Sequence, residues 1–428
     1  MYRFSWLAIP LLLSTSPLLA QGGGGGGGGD GTIGPNDWPW WRGPNRNGIA
    51  DPKQQPPLKW SETENILWKT PVPGRGHGSP IIVGDQIFLA TAEHDKEVQS
   101  VLCFDRLTGK QLWRTEVHQG NFFEKGSNKQ ASLASASVAC DGERLFICFL
   151  NNKAVHTTAL SRDGKKLWQK KITDFVLHQG YGPSPTVYKS LVLVTADNKG
   201  GGGLIAGLDR ATGEFVWKQE RPKFPNYASP IIINAAGRDQ MIVTGCKLIA
   251  SFDPLTGKKN WEFPGTTEET VTSVVTDGEH VFTSGGYPKK YVSALKVDGS
   301  GKTAWEINTQ VYVPSMLVHA GHLFAVQDSG VAICLKCDTG KEAWKERLAG
   351  AFTASPVLVG EHIFATNESG RTFIYKADPA GFKAVGENQL GSEAMATPTI
   401  CGSRIYMRVA SQQNGKRQEM LYCIGTAK

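Results

Sequence analysis

The chain has 428 residues, a net charge of +7 at pH 7 and 40% hydrophobic residues. This apolar content is enough to bury a core, which excludes a disordered chain. The basic residues are scattered rather than clustered, which argues against nucleic acid as a partner. Fifty glycines favour a fold built from short strands and tight turns.

The N-terminus has the pattern of an export signal over residues 1–20. Arg3 supplies the positive start, a short apolar run extends from Trp6 to Leu13, and small residues precede a cleavage point before Gln21. The run is too short to span a bilayer, and prolines interrupt it. We therefore expect an exported protein of the periplasm or cell envelope, with no transmembrane segment in its mature form.

Two distinct segments follow the signal. Residues 21–36 contain the unbroken run Gly22–Gly29 and are predicted to be a flexible tether. Residues 37–64 form an arm that begins with the tryptophans Trp38, Trp40 and Trp41. Three neighbouring indoles are expected to be buried away from solvent. We expect the arm to cover the rim of the same domain, and docking on a partner is the alternative.

A repeat of 40 to 50 residues occupies the rest of the chain, residues 65–425. Each copy begins with a serine or threonine, mostly followed by proline, and the starts are Ser79, Ser135, Ser184, Ser229, Ser273, Ser315, Ser355 and Thr397. Each copy ends in a glycine turn with a tryptophan four residues later, at Trp113, Trp168, Trp217, Trp261, Trp305 and Trp344. A degenerate seventh end runs from Gly381 to Val385.

The two ends of this region complete each other. The eighth copy, which starts at Thr397, has no tryptophan after it, whereas Trp68 lies in a strand-like segment with no strands before it. Joining them gives an eighth module and removes the open edges of a linear stack. We predict an all-β fold, an eight-bladed β-propeller of four-stranded antiparallel blades that is closed by the N-terminal strand.

The repeated tryptophans and cysteines have structural interpretations. One indole per blade, Trp68 included, is predicted to dock between neighbouring blades. Alignment of the turns places a small residue at one repeat position, occupied by Cys103, Thr158, Gly207, Ser251, Cys334 and Cys423. Cys334-x-x-Cys337 therefore indicates packing rather than redox chemistry, since redox pairs of this spacing open a helix. Cys140 and Cys148 flank a hairpin, and the sequence leaves their pairing open.

The serine-proline start and the Asp-x-x-Thr-Gly-Lys-x-x-Trp end resemble the pyrroloquinoline-quinone (PQQ) repeat. This resemblance covers residues 65–425 and implies the propeller of the quinoprotein dehydrogenases, or of the non-enzymatic lipoprotein that serves outer-membrane barrel assembly. The stretch from Asp37 to Arg46 also resembles the lead-in of exported PQQ-like propellers of planctomycete-type bacteria. The repeat is specific for the fold and weakly specific for function.

The resemblance implies two functions of different classes. A quinoprotein needs calcium ligands, a quinone site and, in the alcohol dehydrogenases, two adjacent cysteines. No adjacent cysteine pair occurs here, and most aspartates lie in repeat turns. We therefore expect no cofactor and no metal, and a non-catalytic scaffold is preferred over an alcohol or sugar dehydrogenase. The glycine-rich stretch 201–206 is not a dinucleotide loop, because a strand rather than a helix follows it.

The candidate ligand site comes from propeller topology. Loops that enter the innermost strands open at one mouth of the central channel, and this mouth should be lined by Arg75, His77, His178, Tyr181, Asn226, Tyr227, Glu269, Tyr312, Phe352 and Glu393. Two histidines there could hold a metal, but hydrogen bonding to channel backbone is the preferred role for His77 and His178. The expected partners are an envelope protein, a peptide or a small polar or saccharide ligand, bound by a monomer.

Overall fold

The computed structural model describes residues 33–123 and 131–426. The predicted signal and most of the tether lie outside the described residues. Within them the chain forms eight four-stranded antiparallel sheets and one short 3-10 helix, His94–Lys96. The prediction of an all-β, eight-bladed propeller is confirmed. No helix of the described ranges is both long and apolar enough to cross a membrane.

Blades 1 to 4 each use four consecutive strands, ordered from the channel outward. Their bounds are β2 Ile81–Val83, β3 Gln86–Glu93, β4 Val98–Asp105 and β5 Gln111–Gln119 in blade 1; β6 Ala139–Cys140, β7 Arg144–Asn151, β8 Ala154–Ser161 and β9 Lys166–Asp174 in blade 2; β10 Thr186–Tyr188, β11 Leu191–Ala196, β12 Gly203–Asp209 and β13 Phe215–Arg221 in blade 3; β14 Ile231–Ala235, β15 Arg238–Gly245, β16 Leu248–Phe252 and β17 Lys259–Pro264 in blade 4.

Blades 5 to 7 repeat this order, and blade 8 closes the ring. Their bounds are β18 Val275–Thr276, β19 His280–Gly285, β20 Tyr291–Lys296 and β21 Thr303–Ile307 in blade 5; β22 Leu317–His319, β23 His322–Val326, β24 Val331–Lys336 and β25 Glu342–Arg347 in blade 6; β26 Val357–Val359, β27 His362–Thr366, β28 Arg371–Lys376 and β29 Ala384–Gln389 in blade 7; β30 Thr399–Cys401, β31 Arg404–Gln413, β32 Lys416–Ile424 and β1 Ile66–Val72 in blade 8.

Ring closure follows the predicted route. Strand β1 pairs antiparallel with β32, with Trp68 opposite Cys423, so the first strand of the propeller is the outer strand of the last blade. A closed ring leaves no blade edge facing a missing neighbour. The strands that carry the largest apolar residues are buried on both faces, which places the core between blades.

The tryptophans of the outer strands contact the next blade. Of the seven predicted docking indoles, six donate their N–H to a backbone carbonyl in the turn of the following blade, at 2.7–3.2 Å. The seventh, Trp261, donates instead to the side chain of Gln240 in its own blade. The turn glycines lie directly on these rings: a Cβ on Gly109 would approach the Trp68 ring to 2.4 Å. Their positive φ angles also favour glycine.

Serine and threonine hydroxyls link the blades around the channel. In six places the N–H of one start residue donates to the hydroxyl of the next start, at 2.9–3.0 Å. This ring corrects one predicted start, because Ser137, not Ser135, occupies the position in blade 2. Ser135 lies two residues earlier and bonds to Ser132. The ring fixes the innermost strands relative to one another.

Two further predictions were wrong in register. Ala159, not Thr158, pairs opposite Trp168, because the turn that ends at Gly164 is one residue shorter than the turn that ends at Gly109. Gly386, not Val385, occupies the tryptophan position of blade 7, because the hairpin before it is longer than its counterparts. The predicted small-residue position is confirmed for Cys103 and Cys334, which pair opposite Trp113 and Trp344. All eight cysteines are buried and free, so Cys140 and Cys148 are not paired.

The arm supplies what blade 7 lacks. In most other blades the docking tryptophan contacts an aromatic ring on the second strand, for example Phe88 with Trp113 at 6.0 Å. In blade 7 the corresponding ring is Phe364, and the indole of Trp60 stacks on it at 6.4 Å. The backbone N–H of Trp60 also donates to the side-chain oxygen of Asn388 in the outer strand of that blade. An arm residue thus takes the place of the missing repeat tryptophan.

Candidate functional site

The main cavity occupies one mouth of the central channel and has a volume of about 540 Å³. Its wall is built from the loops that enter the innermost strands, together with the hairpin loops that follow the second strands. Since the same loop of every blade reaches the channel, side chains from blades far apart in sequence meet here. The cavity is large enough for a small polar ligand or for a side chain of a partner.

The opposite face of the ring is closed by the N-terminal arm. The backbone of Trp38 pairs with Ile82 in the innermost strand of blade 1, and Ile49 pairs with Leu358 in the innermost strand of blade 7. Between them Trp41 enters the channel, lines the cavity from below and donates its indole N–H to Ser273 at 2.9 Å. The arm therefore crosses the face of the propeller and forms the cavity floor, rather than covering the rim.

Two buried arginines hold the arm in place. Arg42 donates to the backbone carbonyls of Met316 and Asn47, and burial lowers its pKa to about 9. Arg46 donates to the carbonyl of Val187 and lies over the Trp40 ring at 4.2 Å. The arm's arginines thus donate hydrogen bonds to backbone carbonyls of blades 3 and 6, which anchors the arm on both sides of the channel.

Five of the ten residues predicted for the mouth line the cavity. They are His77, Tyr181, Tyr227, Tyr312 and Phe352. His178 and Glu269 lie directly behind two of these tyrosines and contact them. The remaining three lie elsewhere: Arg75 lines a smaller side pocket, Glu393 belongs to an ion network, and Asn226 is buried.

Asn226 corrects the predicted list. Its side-chain amide turns away from the channel and donates to Asp197 at 3.1 Å and to the carbonyl of Thr244 at 2.6 Å. Gly245 allows this close approach, because a Cβ there would lie 2.1 Å from the amide. The adjacent Tyr227 takes the position that faces the cavity.

One histidine–tyrosine contact and one glutamate–tyrosine contact form a cluster at the mouth. Nδ1 of His178 lies 2.9 Å from the hydroxyl of Tyr227 and 3.7 Å from the carboxylate of Glu269. The hydroxyl of Tyr312 donates to the other oxygen of Glu269 at 3.1 Å. Burial and the nearby Glu269 raise the pKa of both tyrosines, so both hydroxyls stay protonated. The cluster joins blades 2 to 6 at the wall of the cavity.

The position of Tyr312 depends on a glycine. A Cβ on Gly286 would lie only 1.9 Å from the Tyr312 ring, so the ring rests on bare backbone. The N–H of Tyr312 donates to Asp328 at 2.7 Å, which fixes the loop from the other side. The aromatic wall at this point is therefore rigid.

An ion network lies beside the cavity at the junction of blades 8 and 1. Arg417 bonds to Glu393 at 2.7 Å and to Glu419 at 2.8 Å, and Arg75 approaches Glu393 at 3.5 Å. Arg408 and Glu419 form a buried ion pair. Hydrogen bonding by Arg417 holds the pKa of Glu393 below its ordinary value. The network explains why Arg75 and Glu393 face each other instead of the cavity.

His77 is uncharged under neutral conditions. Burial, followed by the positive charges of Arg75, Arg408 and Arg417, lowers its pKa to about 3. Its Nε2 atom is buried and has no hydrogen-bond partner among the described residues. His77 therefore lines the cavity with a neutral ring, and its enclosed Nε2 nitrogen is without a partner among the described residues.

A calcium-bound quinone would need oxygen ligands at this mouth. Calcium takes six to eight oxygen ligands, mostly from clustered carboxylates and amides. Within the described ranges, no group of three or more His, Cys, Asp or Glu side chains could share a metal ion. Asp328 uses one oxygen for the N–H of Tyr312 and the other for the N–H of Val313. Asp328 thus already holds a loop through both of its oxygens.

Sequence reasoning missed three contributors to the cavity. Trp41 was assigned to the arm, and nothing in the repeat indicates that an arm residue forms the floor. Asp328 and Glu368 lie in the hairpin loops after β23 and β27, whereas the prediction considered only the loops that enter the innermost strands. Asp328 and Glu368 each lie two residues after the end of the second strand of their blade. This shared spacing was the signal that could have identified them as cavity residues.

The comparisons with known proteins agree on the fold. The family model described as "Outer membrane protein assembly factor BamB" matches residues 58–119, 97–296 and 288–380. The outer membrane protein assembly factor BamB of Yersinia pestis is 23% identical over 377 residues, which cover 81% of this chain and 86% of that protein. This similarity extends along most of both chains.

Solved structures of two kinds share the architecture. BamB from Moraxella catarrhalis superposes with a TM-score of 0.59 and 14% identity, covering 83% of this chain and 96% of that one. The quinohemoprotein alcohol dehydrogenase from Comamonas testosteroni gives a TM-score of 0.66 and 13% identity, covering 92% and 81%. A europium-containing methanol dehydrogenase also gives 0.66 and 13%, covering 92% and 98%. At these identities the likeness describes the fold alone.

Proposed function

The chain belongs to the family of PQQ-like propellers described as outer membrane protein assembly factor BamB, and from this premise we propose that it is a non-catalytic binding scaffold of the cell envelope. The proposal includes export, as the N-terminal signal pattern predicts. The partner binds at the open mouth of the channel. It is an envelope protein or a segment of one.

One observation carries the proposal: the two ends of the channel differ. The arm seals one end with Trp41, while the other end remains an open cavity with aromatic and polar walls. Tyrosines supply large contact areas at low entropic cost and are enriched at binding sites. The ring of hydroxyl hydrogen bonds holds the wall in place before a partner arrives, which lowers the entropy lost on binding.

Site-specific crosslinking tests the proposal. A photo-crosslinking phenylalanine analogue at Tyr227, in the wall of the mouth, is expected to capture one defined envelope protein in cells. The matched control carries the same analogue at Leu112, which is 49% exposed on the outer strand of blade 1. Capture at Leu112 and not at Tyr227, or no capture at either position, contradicts a binding role for the mouth.

A binding and activity assay on the purified protein tests the quinoprotein alternative. Pyrroloquinoline quinone and calcium are added, and quinone absorbance that stays with the protein after gel filtration is measured, followed by dye reduction with alcohols or aldose sugars. The scaffold proposal expects neither retained absorbance nor reduction. Retained quinone with substrate-dependent reduction would replace it with an oxidoreductase.

A further inference from the structure

We infer that the open mouth recognises an organic cation, namely an ammonium or guanidinium group on a slender aliphatic arm. The inference rests on the proposed binding role of this mouth and names the chemistry of its ligand. Two sources carry such a group: a lysine or arginine side chain of the partner, or a free polyamine.

The charge of the cavity opposes the charge of the chain. The whole sequence carries a net charge of +7, yet the described residues that line the cavity include Asp328 and Glu368 and no lysine or arginine. His77, the other ionisable base in the lining, is uncharged. Field lines concentrate in a cleft with low-dielectric walls, so two carboxylates there attract a cation strongly.

Neither carboxylate is neutralised by a cation within the described part of the chain. Asp328 accepts the N–H groups of Tyr312 and Val313, and Glu368 accepts the hydroxyl of Thr353. All three partners are neutral donors. Burial raises the pKa of Asp328, and the nearby charge of Glu368 makes a smaller contribution in the same direction. A bound cation would relieve this repulsion.

Aromatic rings complete the environment that an organic cation prefers. Tyr227, Tyr312 and Phe352 lie in the wall, and Trp41 forms the floor. Cations bind over the faces of such rings, most strongly over tryptophan. A small hydrated metal ion gains little from this arrangement, whereas an alkylammonium or guanidinium group gains from both the rings and the carboxylates.

An independent feature of the lining also indicates a ligand. The Nε2 atom of His77 is buried in the cavity wall and unpartnered among the described residues. A buried polar atom without a partner costs free energy that a ligand can recover. A ligand with hydrogen-bonding groups can supply this partner once the His77 ring turns toward the cavity.

Calorimetric titration of the full chain tests the inference with a pair of matched ligands. The first is acetyl-Gly-Gly-Arg-Gly-Gly-amide, and the second replaces arginine with citrulline, which has the same shape and no charge. The arginine peptide is expected to bind at least tenfold more tightly, and its affinity should fall as salt is raised. Equal affinities, or no binding by the arginine peptide and by spermidine, would overturn the inference.

Protein variants locate the site. Glu368→Gln keeps the shape of the side chain and is expected to weaken the arginine peptide at least fivefold. Glu342→Gln removes the same charge on the outer strand of blade 6 and should leave binding unchanged. Asp328→Asn is a second test, with thermal unfolding as a check on its loop. Equal weakening by the outer variant would mean that only the overall charge matters.

Spermidine separates the sources. Spermidine that binds as tightly as the arginine peptide and displaces it indicates a free polyamine, whereas weak spermidine binding indicates a side chain of the partner. The titration and the crosslinking at Tyr227 can fail separately. If a protein is captured at Tyr227 but the arginine and citrulline peptides bind equally, the cation inference is wrong and the scaffold proposal is still supported.

Discussion

The two ends of the central channel are built from the same repeats and differ completely in character. At the closed end, the arm places Trp38, Trp41 and Arg42 against the inner strands and satisfies backbone groups there. At the open end, the repeat loops leave a cavity with the unpartnered nitrogen of His77 and two carboxylates without a counter-ion. The arm thus belongs to the structural half of the molecule, whereas the other half keeps an open cavity with two carboxylates that lack a counter-ion.

The largest effect is expected when the arm's indole is removed from blade 7. Trp60 is 3% exposed and stacks on Phe364, so Trp60→Ala leaves a large cavity and is expected to cost about 3–5 kcal/mol of unfolding free energy. Leu58→Ala, at a side chain that is 37% exposed, should change it by less than about 0.5 kcal/mol. Chemical denaturation measures both, and a cost below about 1 kcal/mol for Trp60→Ala would show that the arm is dispensable.

A smaller effect is expected at the open end, where His77 couples stability to pH. Its folded pKa of about 3 is depressed from the ordinary 6.5, so between these values the unfolded chain binds a proton that the folded chain does not. Stability is therefore lost as pH falls below 6.5. We expect His77→Gln to remove roughly 2 kcal/mol of the loss between pH 7 and pH 4.5.

The matched comparison for this effect is His118→Gln, since burial lowers the pKa of His118 only to about 4. Its pH profile, measured by urea unfolding at each pH, should resemble that of His77→Gln above pH 5 and differ at more acidic pH. A His77→Gln profile that matches the unmodified protein throughout would mean that folding does not lower the pKa of His77.

The smallest effect concerns the hydroxyl of Tyr312. Tyr312→Phe leaves Glu269 without its 3.1 Å donor, and this should lower the unfolding free energy by about 1 kcal/mol. Tyr287→Phe makes the same chemical change at a side chain that is 56% exposed, and differential scanning calorimetry should show no shift in Tm. An equal shift in both variants would indicate that the cluster contributes nothing beyond packing.

Repetition explains how much of the fold could be predicted. The tryptophans of six outer strands and the glycine four residues before each of them recur because these blades meet their neighbours through similar contacts. The completion of blade 8 by Trp68 follows from the same pattern. Prediction was weaker where a hairpin changes length: the offset that holds for Trp344 fails at Gly386, and the indole that replaces it comes from Trp60, far away in sequence.

The cavity was harder to predict than the ring. Position relative to each innermost strand identified His77, Tyr227 and Tyr312, but it could not distinguish Tyr227 from its neighbour Asn226, whose side chain points the other way. Trp41 joins the cavity only through tertiary contacts of the arm. Such contacts have no sequence period, so the repeat pattern carries no information about them.

Hydrogen–deuterium exchange tests most directly whether the open end is the binding end and the closed end is structural. The protein is compared alone and in complex with the envelope protein captured at Tyr227. New protection is expected in the loops around residues 178–182, 310–313 and 351–353, with unchanged exchange over residues 37–50. Protection over the arm, with the three loops exchanging as before, would show that the closed end is the binding end.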